Sequence, residues 1–212
     1  MSLLNGLPCI DSDEMAASRR RELDIDRGKA RKLGMSALAA IQSGHYTTRF
    51  GQNVVWRDTI ETARARKKSI PPDAELPPTA RAPHNETRVQ VTNETTLAAA
   101  HRLTDAGLVP LARNFAHGIH PGGGFMNGAR AQEEDLCRSS ALYQTLVGDL
   151  MYETHEQRPE PDSTDWAILS PDVPVFRIDD GIERSASNRY RLSPGIGGRF
   201  RRRVLRYCLR DR

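Results

Sequence analysis

The 212-residue sequence predicts an α/β fold, layered α/β/α around a mixed, partly parallel sheet, with a helical N-terminal extension. Two observations predict it. From residue 87 onward, short β-prone runs alternate with helical periodicity at the spacing of βαβ crossovers. A triple glycine, Gly122–Gly124, then falls between a strand and a helix, the place where such folds hold ligands.

In chain order, residues 1–19 read as a loose arm. Asp26–Gly44 predicts a helix with Leu33, Leu38 and Ile41 roughly on one face and Gly44 as its stop. Asn53–Trp56 is a short strand and Thr59–Lys68 a charged helix. Five prolines between Pro71 and Pro83 make an extended connector, read as a surface strap across one domain rather than a linker between two. Thr87–Thr92 is the next strand. Asn93 or Thr95 caps a helix to about Ala106, which Gly107 ends. Leu108–Phe115 is a strand, and Ala131–Leu150 one long helix with Leu136, Tyr143, Leu146 and Val147 inward. Trp166–Ser170 and Val173–Phe176 are further strands, with Trp56 and Trp166 expected in the core. The division is therefore 1–19 arm, 20–86 helical extension and strap, 87–181 core, and 182–212 an arginine-rich tail. The tail reads as a frayed end or an amphipathic helix from Arg199 to Arg210.

Composition excludes several classes. No apolar run approaches the roughly 20 residues of a membrane span. The N-terminus lacks the basic and apolar regions of a secretory signal. Three dispersed cysteines, Cys9, Cys137 and Cys208, suit a reducing cytoplasm rather than a disulfide framework. The net charge of +4 hides an asymmetry: residues 182–212 hold ten arginines against Glu183 and Asp211, which leaves residues 1–181 at −4.

The chemistry is concentrated in Asn114–Tyr143. Successive glycines let backbone N–H groups approach a ligand, and the N-terminus of the following helix adds unpaired donors. Together they suggest a place for a diphosphate, although such a turn alone often only tightens a corner. Gln132, Glu133 and Glu134 open that helix. Acids there ordinarily just complement the helix dipole. Beside an anion, however, a desolvated carboxyl gains the raised pKa of a general acid. Neighbours on a helix point about 100° apart, so one of the two glutamates is expected to face the cleft squarely while the other reaches its rim. The pair cannot flank a sugar from opposite faces, which favours a single-acid mechanism leaning on substrate phosphate.

The run PGGGF, seven residues on QEE, and a DLCRSSALY helix resemble the bacterial-type poly(ADP-ribose) glycohydrolases, whose signature is GGG, six to eight residues, then QEE. RVQVTNETTLAAAHRL and SPDVPVFRIDDG resemble that family's flanking elements. The resemblance implies a macrodomain fold and metal-free, cofactor-free hydrolysis of ribose–ribose O-glycosidic bonds in poly(ADP-ribose), releasing ADP-ribose. It implies Glu134 as general acid, Glu133 on a hydroxyl of the scissile ribose, and Gln132 setting the loop. Gly122, Gly123, Gly124 and Phe125 would contact substrate, and so would Asn114. Poly(ADP-ribose) or ADP-ribosylated proteins would be the partners. His117 departs from the asparagine that macrodomains often carry near this point. The family continues with further strands and a second ligand loop, which residues from Ile182 onward do not resemble, so the C-terminal strands are expected to be missing.

Two other readings stand beside the hydrolase. One is an ADP-ribose-binding module without turnover, and the other a nucleic-acid binder working through the tail, with Phe200 and Tyr207 interleaved among arginines. His117 and His120 form HxxH, read as loop contacts rather than zinc ligands. Cys137 reads as a buried small residue rather than a nucleophile.

Overall fold

The computed structural model describes residues 3–75, 86–159, 164–179, 181, 183 and, by their backbone, 190–197. The expected tail helix at 199–210 and the part of the strap beyond residue 75 lie outside them.

The N-terminal residues are not loose. Leu3–Gly6 (β1) pairs in parallel with Glu86–Val89 (β5), and Asp13–Leu23 (α1) starts at Ser12, whose hydroxyl accepts the Met15 N–H. β5 therefore joins this two-stranded ribbon and not the main sheet, so the crossover expected at that point does not form. The partners lie more than 80 residues apart, which local sequence patterns do not report.

Arg27–Ser43 (α2) spans the expected residues and stops at Gly44, at φ 74°, as expected, while the Asp26 side chain accepts the Lys29 N–H at its start. Its buried face is made of small residues, Ala30, Gly34, Ala37 and Ala40, with Ile41, while Leu33 and Leu38 are only half-buried. This narrow face lets neighbouring backbone come close. His45–Thr47 (β2) and Asn53–Val55 (β3) form an antiparallel hairpin, followed by Arg57–Arg66 (α3) and Lys68–Ile70 (β4). The hairpin seeds an aromatic cluster. Tyr46, Trp56 and Phe176 lie with centroids 4.7–5.3 Å apart, and the Trp56 indole N–H donates to Ala40 O at 3.0 Å. Such pairs contribute about 0.5–1.5 kcal/mol each beyond their buried area.

Thr96–Asp105 (α4) is capped by Thr95, which settles the choice between Asn93 and Thr95. Leu111–Asn114 (β6) follows. The expected helix 131–150 is broken into Gln132–Ser139 (α5), Leu142–Leu146 (α6) and Leu150–Glu156 (α7). Ser140 leaves the helix at φ −145° to bridge Val175, and its hydroxyl accepts the Leu142 N–H. Gly148, at φ 75°, makes the second break, and Asp149 caps α7. Val147 is consequently exposed, while Leu136 and Leu146 are buried.

Ala167–Leu169 (β7), Val173–Val175 (β8) and Tyr190–Gly197 (β9) complete the main sheet, ordered β4-β7-β9-β6 with β8 also on β9. β6 and β9 are parallel, and the β4–β7, β7–β9 and β8–β9 pairs are antiparallel. Three residues separate β7 from β8 where β9 supplies two, and Asp172 takes up the excess at φ 57°. β9 corrects the expectation that nothing beyond residue 181 joins the sheet. Its proline and two glycines disguise it as a non-strand. Without it, β6 and β7 would face each other as open edges.

The core runs through Leu97, Phe125, Leu136, Leu142, Leu146, Ile168, Val173 and Val175. Trp56 is buried as expected, whereas Trp166 is half-buried at the margin with its indole N–H on Ser69. No helix among the described residues is long and apolar enough to cross a membrane.

Candidate active site

The site forms where the end of β6, the glycine loop and the start of α5 meet. No side chain caps α5. Gln132 fastens it to β6 instead: its amide donates to Arg113 O at 2.7 Å and to Thr96 Oγ1 at 3.1 Å, and accepts the Phe115 N–H at 2.8 Å. A single carboxamide thus satisfies both backbone groups at the strand end.

Glu133 and Glu134 follow, buried at 2% and 8% exposure. Both carboxylates reach the glycine loop. The loop folds over the helix end and meets both. Glu133 Oε1 accepts the Gly122 N–H (3.2 Å) and the Asn114 amide (3.4 Å), and Oε2 accepts the His117 N–H (2.7 Å). Glu134 Oε1 accepts the Gly124 N–H at 3.0 Å. Its Oε2 is buried with no partner among the described residues, as is Asn114 Oδ1.

The glycines act differently from expectation. The Gly123 N–H is bonded to His120 O, so all three glycine N–H groups are directed at protein acceptors rather than left free for an anion. The backbone still needs glycine. Gly122 and Gly123 have φ 73° and 55°, and a Cβ on Gly122 would press on Phe125, Tyr143 and the Cys137 sulfur at 3.1–3.2 Å. Phe125, expected at the substrate, is wholly buried. Its ring packs on Tyr143 at 5.1 Å, and Gly34 of α2 lies against its carbonyl. It holds the loop from beneath. Gly34 is a contributor the sequence reading missed, although a glycine inside a helix was itself a signal of close approach.

Burial raises the Glu133 carboxyl to about 7 from an ordinary 4.5, opposed by the N–H groups of His117, Asn114 and Gly122 and reinforced by the Glu134 charge. Burial likewise pushes the Cys137 thiol up, which leaves it no nucleophile. His117 and His120 stack at 4.7 Å, and His117 Nδ1 is engaged by backbone N–H groups. Two adjacent buried carboxyl groups, one of them with an unpartnered oxygen among the described residues, make a site able to exchange a proton with a ligand oxygen.

Comparison with known proteins bears on this arrangement. The family model for the microbial-type PARG catalytic domain matches residues 35–178. Nothing matches among curated proteins. Among solved structures, poly(ADP-ribose) glycohydrolase (PARG) from Thermomonospora curvata is 35% identical at a TM-score of 0.70, over 79% of this chain and 63% of that one. The same enzyme bound to the inhibitor ADP-HPD gives 36% and 0.69, over 79% and 62%. PARG from Deinococcus radiodurans in complex with ADP-ribose gives 36% and 0.50, over 76% and 57%. The chain thus spans less than two thirds of the length of these structures. The family match runs from α2, through the glycine loop and the helix that carries both glutamates, to the residues after β8, and on that ground this chain belongs to the microbial-type PARG catalytic-domain family.

Proposed function

We propose that this chain hydrolyses ribose–ribose O-glycosidic bonds of poly(ADP-ribose) and releases ADP-ribose, with Glu134 as general acid and then general base. One observation carries the assignment: Glu134 has one oxygen fixed by the Gly124 N–H and the other buried without a partner among the described residues. A buried oxygen in that state calls for a partner, and a leaving ribose oxygen supplies one. In the first half of the reaction Glu134 gives its proton to that oxygen as the C–O bond breaks and an oxocarbenium-like centre forms. In the second half it takes a proton from water, which adds to that centre, and the acid is regenerated. Glu133, with three donors already on it, stays fixed and offers its remaining hydrogen-bonding position to a hydroxyl of the scissile ribose. Both carboxyls lie side by side in the first turn of α5, which fits a single-acid mechanism rather than a pair flanking the sugar.

Further support comes from the relatives, one bound to ADP-HPD and one to ADP-ribose. Poly(ADP-ribose), or proteins carrying it, is the partner in this reading. A cytoplasmic location is part of the same proposal, in keeping with Cys9, exposed and in no disulfide among the described residues.

The test is ADP-ribose release from purified poly(ADP-ribose), run beside Glu134→Gln. Loss of roughly a hundredfold or more in the variant, with ADP-ribose binding retained, supports the assignment. Equal release by both proteins rejects it. Binding without release by the wild type favours an ADP-ribose-binding module.

A further inference from the structure

Glu133 depends on one short bond, from the His117 N–H to Oε2 at 2.7 Å. That donor sits on a loop, residues 115–121, outside any helix or strand. Two imidazoles clasp the loop. The His117 ring folds back on its own chain, so that Nδ1 accepts the N–H of His120 at 3.1 Å and of Ile119 at 3.3 Å. A backbone N–H can only donate, so Nδ1 carries no proton and the neutral ring bears its hydrogen on Nε2. From α7, buried His155 places Nδ1 3.0 Å from Gly118 O, while its Nε2 accepts the Thr164 N–H at 3.4 Å. Here the tautomer is reversed, and Nδ1–H donates to the Gly118 carbonyl. The loop then closes onto the glycines through the Gly123 N–H on His120 O at 3.0 Å.

We infer that His117 and His155 are positioning residues for Glu133: they hold the 117–120 turn from its two sides so that the His117 amide fixes the carboxylate. The inference rests on the hydrolase reading. His117 acts through its acceptor nitrogen, as an Asn or Ser side chain does when it accepts N–H groups two or three residues on. This gives the clasp a test that separates turn-holding from substrate contact.

His117→Ala removes the acceptor, whereas His117→Asn keeps one. His117→Ala is expected to lower kcat about tenfold with KM within about twofold, because the group it displaces is Glu133 and not the bulk of the binding surface. His117→Asn restores most of the rate, and His155→Ala lowers it in the same way as His117→Ala. Amide hydrogen exchange of the ligand-free protein reads the clasp independently of turnover: the His117 and Gly123 amides should exchange about tenfold faster in His117→Ala and near wild type in His117→Asn. Unchanged exchange in His117→Ala overturns the inference. A rate in His117→Asn as low as in His117→Ala also overturns it, because the ring itself then contacts substrate. If the wild type releases no ADP-ribose, the hydrolase reading fails, and the exchange measurement still decides the clasp.

Discussion

A Cβ on Gly123 would stand 2.3 Å from Glu134 Oε1 and 3.2 Å from Glu133 Oε2. The two glutamates therefore occupy the space that a side chain at Gly123 would need, and the third glycine-loop N–H, from Gly124, ties Glu134 down. Glycine in the signature thus admits carboxylates, and the loop serves as their mould.

Gly123→Ala tests this directly. The added methyl meets a carboxylate it cannot share space with, at a backbone of φ 55° that alanine rarely adopts. Displacing a reacting group by about 1 Å can cost roughly a hundredfold in rate, and a loss of that order in ADP-ribose release is expected. Circular dichroism should show the fold retained.

Glu133 should leave a signature in the pH dependence of stability. Folded, it holds its proton up to about pH 7, whereas an ordinary glutamate releases it near 4.5. Between those values the folded state binds more protons than the unfolded state, so this group's contribution to stability falls as pH rises from about 4.5 to 7 and is level above. Urea unfolding of wild type and Glu133→Gln at pH 5 and pH 8 isolates it: wild type should lose stability relative to the variant at the higher pH. Asp135, raised to about 7 by burial and by Asp179, has the same sign in both proteins and drops out of the difference.

Arg177 predicts a purely structural loss. Its guanidinium, 2% exposed, donates to Leu33 O, Arg138 O, Ser36 Oγ and Glu183, and lies 4.6 Å from the Phe176 ring centre. It thereby joins α2 and α5 to the residues after β8. Arg177→Met keeps most of the volume but takes the guanidinium donors away from Glu183, Arg138 O and Ser36 Oγ. A loss of about 3–5 kcal/mol is expected, measured by urea unfolding.

How much of this was legible beforehand depended on distance along the chain. Helix ends set by near neighbours were readable: the span Asp26–Gly44 with its glycine stop, and the start of α4 to within the choice of Asn93 or Thr95. Gln132, Glu133 and Glu134 were identified as a group, because the triple glycine and the helix start lie one short loop apart. Ser140 was not readable as a break, since serine inside an apolar helical pattern signals one only when a strand such as β8 arrives beside it. His155 was equally silent: nothing near it in sequence indicates that it holds a carbonyl 37 residues away.

The sequence by itself carried the family resemblance, through the GGG and QEE runs as a motif, and the bounds of α2, because helix periodicity and end signals act over a few residues. Tertiary structure alone decided that β5 joins β1, that β9 lies between β6 and β7, and that both glutamates meet one loop. It also turned the glycine N–H groups onto protein carboxylates, and it set the Glu133 proton near neutrality through burial. The physical reason is common to all of these. Strand partners, desolvation and hydrogen bonds to remote backbone depend on which distant segments pack together, and that arises from satisfying buried groups across the whole fold rather than within any one segment.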